Sequence, residues 1–342
     1  MTSHAPEPDE PPAAKPERVR MDLKSWLYTI TATIQRFLRN QGTDMAAALT
    51  YYTVLTIFPA LLCIVSLMKL SGIGDVLVPK LTGLISQASS DEFLTDTLVG
   101  LIESFFSSAG AGLGLAIGIL AAAWAASGYV AAFTRVMNRA YRVLEGRNPV
   151  RLKAQQFALT IILLICMSTL LLALVVSGDV AGWIAGQFAA LSGVVHLWDR
   201  LRWPITIALV MVLIDVLYYF CPNVRFPRFR PLSYGSIVAA LAGIIAVVGF
   251  RFYAANFGSY DATYGALAGA IIALWLIWLT NLALVAGAHL DLEVLRTRQL
   301  LQGLPAERAP VLPPKSAKGI DKKIGRDNKL AAKGNELRLR GQ

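Results

Sequence analysis

Polar and ionisable side chains set in apolar sequence are the first places to look for chemistry, because burying them in hydrocarbon costs free energy. Asp215 is the one acidic residue well inside a long apolar block, 204–220. Two uses fit it: binding a proton, cation or substrate amine in a cavity, or hydrogen-bonded packing near one interface. Asn281, in another apolar block, is either its partner or interhelical glue. Thr50, Tyr51, Tyr52, Thr53 and Thr56 give a third block a polar side ahead of Pro59. Proline has no N–H and can kink a helix, which either frees carbonyls toward a cavity or serves packing alone. The run from Asn256 to Gly265, with Tyr260 and Tyr264, is polar and aromatic between two apolar blocks. It reads as an outer turn, with a substrate-facing gate as the alternative.

Metal and nucleophile chemistry have weaker support. His289, Asp291 and Glu293 cluster, but steps of two and four residues do not put all three on one helical face. The remaining histidines, His4 and His196, fall in the N-terminal tail and on the opposite side. No nucleophile–base pair, phosphate loop or metal spacing stands out. The expectation is a protein that is not an enzyme, with no metal and no cofactor.

The elements that would position these groups follow from composition. The chain has 342 residues, 55% of them apolar and only 16% charged. Six blocks are long enough to cross a hydrocarbon layer as helices: 46–68, 110–134, 157–176, 204–220, 232–250 and 265–290. The expected fold is therefore all-α, an integral membrane bundle of six transmembrane helices in three hairpins, with amphipathic surface helices. Lys and Arg concentrate in 1–45, 135–153, 221–231 and 293–342. The other side holds only Lys69, Lys80, Arg200, Arg202 and Arg251. The positive-inside rule then places both termini in the cytoplasm and explains the net charge of +10 without nucleic acid.

Smaller features fill in this frame. Residues 25–40 set Trp26, Leu27, Ile30, Ile34, Phe37 and Leu38 beside Lys24, Arg36 and Arg39, an interfacial helix at an anionic leaflet. Two outer segments, 82–107 and 179–199, are also amphipathic and read as surface or capping helices. Small residues recur every fourth position at Gly110–Gly114–Gly118, Gly235–Ala239–Gly243 and Gly265–Gly269, steps that allow close helix approach. Cys63, Cys166 and Cys221 read as small buried hydrophobes. Residues 1–20 and the basic stretch 303–342 are expected to be disordered tails around a 21–302 membrane domain.

Several motifs carry a family resemblance. Ala46-Ala47-Ala48-Leu49-Thr50-Tyr51-Tyr52 with Phe58-Pro59 comes first. Trp124 and Gly128 follow, then Asn138-Arg139-Ala140-Tyr141 and Tyr219-Phe220-Cys221-Pro222-Asn223. Asn256-Phe257, Tyr260, Tyr264-Gly265 and Gly287-Ala288 close the series. In order and spacing, over about 25–295, this resembles the YihY/BrkB family of bacterial inner-membrane proteins, once labelled ribonuclease BN. The family usually reads Gly-Ala-Glu where this chain has Gly287-Ala288-His289. The resemblance implies an inner-membrane location and links to serum resistance and to envelope lipid or lipopolysaccharide traffic.

The functional expectation is transport or handling of an envelope lipid or other small substrate. Its pathway candidates are Tyr51, Tyr52, Pro59, Asn138, Asp215, Tyr264 and Asn281. The alternative is a non-catalytic scaffold for envelope machinery, and a membrane-bound nuclease or lipid-modifying enzyme ranks behind both. Expected partners are membrane lipids and envelope proteins, with no specific nucleic acid; no oligomeric state follows.

Overall fold

The computed structural model describes residues 20–70, 100, 112–175, 192–256 and 266–340. Within them the chain is helical at every expected apolar block. An amphipathic helix, α1 (Leu23–Arg39), precedes α2 (Gly42–Leu70), α3 (Gly112–Ala140), α4 (Pro149–Val175), α5 (Ser192–Phe220), α6 (Tyr234–Asn256) and α7 (Ala266–Leu301). A final helix, α8 (Lys318–Arg340), lies in the C-terminal tail. Among the described residues, Ile119–Ala140, Pro149–Leu170, Trp203–Phe220 and Ile271–Leu301 are long and apolar enough to cross a membrane. Tyr234–Phe250 is a shorter apolar stretch.

Local signals set the helix ends. Asp22 caps α1 by accepting the Ser25 N–H at 2.9 Å. Only Asn40 and Gln41 separate α1 from α2, and Gln41 takes a left-handed φ of 59° to make the turn. Gly42 is required there, because a Cβ would strike the Phe37 ring. At the far end of α7, Gly303 at φ 77° closes a Schellman motif, with Gly303 N–H on Leu300 O and Leu304 N–H on Gln299 O.

The packing is not divided into three separate hairpins. α6 packs broadly on α7 and α2 on α3, but α7 also lies along α2, and α4 packs more widely on α3 than on α5. The α6–α7 contact is close because of two glycines: a Cβ on Gly235 would meet the Gly287 carbonyl, and a Cβ on Gly287 the Gly235 carbonyl. Gly243, on the same small-residue step, faces open space.

The main core joins Leu49 of α2, Phe133 and Met137 of α3, Leu217 and Tyr218 of α5, and Val285 and Leu292 of α7. Phe133 stacks on Tyr218 with ring centroids 6.2 Å apart. A second cluster gathers Cys63, Ala123 and Leu164. Outward, the bundle shows a broad apolar surface that includes Leu55, Ile162, Ile165, Leu241, Ile245, Val248 and Trp275. So large an exposed apolar area is stable only against lipid.

Three expectations need correction or restriction. The tail from 303 onward is not loose along its length: residues 304–316 pack on the bundle end and α8 is helical. The reason is a set of backbone and side-chain hydrogen bonds that composition alone does not reveal. The outer segment 82–107 lies outside the described residues except Gly100, and 192–199 of the second outer segment is helical and continuous with α5. Tyr264 and the surrounding turn lie outside the described residues.

Candidate functional site

Asn281 is the centre of the polar seam. It is buried in α7, where its Nδ2 donates to Thr53 Oγ1 at 3.2 Å, Thr50 Oγ1 at 3.4 Å and Ile277 O at 3.1 Å. Its Oδ1 accepts the Tyr129 hydroxyl of α3 at 3.0 Å. One amide thus ties α2, α3 and α7 together. The threonines also satisfy themselves: Thr50, Thr53 and Thr56 donate to the carbonyls of Ala46, Leu49 and Tyr52. Pro59 lies within α2, just beyond these back-bonded threonines.

The two tyrosines of α2 part company. Tyr51 is 62% exposed on the outside of the bundle, whereas Tyr52 is half-buried beneath the Arg135 guanidinium, which lies 5.1 Å from its ring. Beside the seam, a cleft of about 310 Å³ opens between α2 and α7. Ala47, Thr50, Ile271, Leu274, Trp275 and Trp278 line it. Thr50 is therefore both a wall of the cleft and a partner of Asn281.

Asp215 does not join Asn281. Its Oδ2 accepts from Leu232 N–H at 2.6 Å, Ser233 N–H at 3.2 Å and Ser236 Oγ at 3.0 Å. These groups precede or open α6, whose first turn has unpaired N–H groups. Asp291 of α7 completes the anchor by accepting from Ser233 Oγ and from Gly235 N–H. Two carboxylates from α5 and α7 thus hold the positive end of one helix. Asp215 also holds Leu232, which takes a left-handed φ of 62°, unusual for a bulky side chain.

Asn138, at the end of α3, does a related job between loops. Its Nδ2 donates to Glu145 Oε2 at 2.8 Å, and its Oδ1 accepts the Asn223 N–H at 2.7 Å. Asn223 in turn donates to Leu144 O and Ser316 O and accepts from Ser316 N–H. The 141–148 loop, the 221–226 loop and the 313–316 tail segment therefore share one hydrogen-bonded hub. Val224 and Pro314 pair as an isolated antiparallel bridge beside it.

The charges of this hub follow its burial. Burial acts to raise the Glu145 carboxyl, but hydrogen bonds from Arg147 and Asn138 outweigh it and hold the group below its ordinary range. Lys315 donates to Tyr219 O at 3.0 Å and Phe220 O at 3.1 Å, capping α5. Burial, with Arg147 nearby, pulls its ammonium down to about 8. Gly146 and Gly319 permit the contact, since a Cβ on Gly146 would meet Ser316 O and one on Gly319 would meet Gly146 O.

Sequence reasoning missed several polar residues. Lys153 reaches from α4 to Ser127 Oγ at 2.6 Å and sits 4.3 Å over the Trp124 ring. It lies only four residues before the 157–176 block, at the end of the Lys- and Arg-rich 135–153 segment. Arg296 is fully buried 2.8 Å from Glu293, a member of the His289–Asp291–Glu293 cluster noted in the sequence, and Arg36 of α1 approaches Glu293 at 3.4 Å. The i,i+3 spacing of Glu293 and Arg296 was the available signal, although both lie beyond the expected 265–290 span. His289 uses its Nδ1–H on Val285 O at 2.8 Å and packs edge-on against Phe37. The position where the family carries an acid thus receives α1 here. Among the described residues, no three His, Cys, Asp or Glu side chains gather at metal-ligating spacing.

Long apolar helices with a lipid-compatible surface, over one polar hydrogen-bonded end, define a multi-pass helical membrane protein. Residues 33–310 match the Virulence factor BrkB family, and the chain belongs to it. It is 28% identical over 272 residues to YfkH of Bacillus subtilis, named a ribonuclease-like protein, covering 78% of this chain and 94% of that one. It is 31% identical over 250 residues to a UPF0761 membrane protein of Alkalilimnicola ehrlichii, covering 72% of this chain but only 53% of the relative. A Haemophilus influenzae UPF0761 membrane protein is 24% identical over 259 residues, covering 75% of this chain and 91% of that one. No solved structure matches the chain significantly.

Proposed function

We propose that this chain handles an envelope lipid, or another small substrate with an apolar tail, in the lateral cleft between α2 and α7. The observation that carries the reading is the cleft itself: apolar walls of Ile271, Leu274, Trp275 and Trp278, with Thr50 the one polar residue in the lining and Asn281 bonded to it from α7. Its volume of about 310 Å³ is at the lower end of small-molecule sites, roughly 300–1,000 Å³. A cleft open toward lipid admits an acyl chain without crossing water. In this reading six helices, α2 to α7, cross a bacterial plasma membrane. The polar end carrying α1 and 304–340 faces the cytoplasm, in accord with the positive charge there.

The test is a photoactivatable lipid incorporated into cells making the full chain, with the crosslinked peptide identified by mass spectrometry. Labelling within 271–278 that falls several-fold in Trp275→Ala is the expected result. Labelling spread evenly over the exposed faces of α4 and α6 would sink the cleft reading.

A scaffolding role is the alternative, favoured by α8, which projects with no buried residue and carries a basic last turn. Removing 318–340 would then abolish function while leaving lipid labelling intact. Nuclease chemistry has less support. His289 is committed to Val285 O and Phe37, and Asp291 to the start of α6.

A further inference from the structure

We infer that the cleft between α1 and α7 is a binding site for the phosphate of a net anionic phospholipid headgroup of the inner leaflet. This site stands apart from the α2–α7 cleft. It measures about 290 Å³ and is lined by Tyr28, Thr31, Gln35, Arg36, Arg39 and Arg296 together with Ala32.

Its chemistry is that of an anion site. Three guanidinium groups face one carboxylate, Glu293, which Arg36 and Arg296 already hold. Arg39 is exposed at the cleft, so a net positive charge remains. Arg296 Nη2 donates to the Tyr28 hydroxyl at 2.9 Å, which leaves the Tyr28 proton free to point elsewhere. The Nε of Arg296 and both carboxylate oxygens of Glu293 are buried without hydrogen bonds, the oxygens being held by the two ion pairs alone. Arg36 and Arg296 are positioned by the Glu307 carbonyl, at 2.8 and 2.9 Å, so the site is preformed by the docked tail. Guanidinium groups match phosphate oxygens in geometry as well as charge.

The same helix indicates why the anion is a headgroup. Leu23, Leu27, Ile30, Ile34 and Leu38 form an exposed apolar stripe along α1. Tyr28, Thr31, Gln35 and Arg39 each follow a member of that stripe by one residue, about 100° around the helix. With the stripe among acyl chains, the cleft sits at headgroup depth.

The experiment uses the delipidated full chain in detergent, titrated with phosphatidylglycerol, with phosphatidylcholine and with sodium phosphate, and read by native mass spectrometry. One phosphatidylglycerol per chain is expected, in preference to phosphatidylcholine. Arg39→Gln should weaken it about tenfold, the scale of one charge-assisted contact. Lys24→Gln, on α1 outside the cleft, is the control and should change little. An Arg39→Gln protein that binds normally, or an equal loss in Lys24→Gln, would overturn the site. Displacement of the lipid by millimolar phosphate would reassign it to a soluble phosphate compound. Crosslinking at 271–278 is read separately, so failure here leaves the other cleft untouched.

Discussion

Asp215 and Asn281 are both polar groups set in apolar helices, and they spend their hydrogen bonds differently. Asn281 joins three helices side by side, where each bond replaces one that lipid cannot supply. Asp215 collects two backbone N–H groups and a serine hydroxyl at the opening of α6. Truncating it leaves those donors buried and unpaired. Asp215→Ala should therefore lose about 2–3 kcal/mol of stability, whereas Asp215→Asn, which keeps an acceptor oxygen, should lose roughly 1 kcal/mol. Thermal unfolding in detergent distinguishes them. Equal losses would show that charge at the helix end, not acceptor geometry, is what matters. A side chain that bound a proton or cation during transport would instead lose transport in Asp215→Asn with stability nearly intact. The positions of these residues in apolar blocks were legible in the sequence. Their partners were not, because Leu232 and Ser233 lie on a turn whose approach to α5 depends on how α6 packs.

At the scale of elements, the α6–α7 contact rests on a pair of glycines facing each other backbone to backbone. Neither has room for a methyl group without separating the helices, and the start of α6 is tied to Asp291 just past the crossing. Gly287→Ala should cost about 1–3 kcal/mol, the range for overpacking, while Gly243→Ala, in open space, should be neutral or slightly stabilising. Melting of the two variants checks this, and equal behaviour would contradict the crossing. A four-residue step of small residues marked the right face of α6, but it marked Gly235 and Gly243 alike. Helix α1 was visible as an amphipathic segment. Its landing place, with Thr29 against Thr297 at 2.9 Å and Trp26 edge-on to Tyr234, was not.

For the whole molecule, the polar end behaves as one assembly in which the tail is a structural part. Lys315 caps α5 while partly buried, and its ammonium sits near 8 rather than the model-compound 10.5. A free tail binds its proton more tightly than a docked one over that interval. Docking therefore strengthens as pH rises from about 8 to 10.5 and gains nothing further above it. A nitroxide placed by Ala317→Cys should report a growing immobile fraction over this window, and Lys315→Met should flatten the response. An immobile fraction that falls with pH would contradict the burial of Lys315.

Much of this protein was decided by its one-dimensional pattern. Long apolar blocks, their charge asymmetry and the amphipathic segment at 25–40 follow from the cost of placing charge or bare backbone in hydrocarbon. That cost acts on each segment separately, so it can be read residue by residue. The tertiary structure alone decided which polar groups meet: Asn281 with Thr53 and Tyr129, Asp215 with the start of α6, Asn138 with Asn223, Asn223 with the tail, and Arg296 with Tyr28. Those pairings span up to 268 positions and depend on helix rotation and close approach, which sequence spacing does not encode.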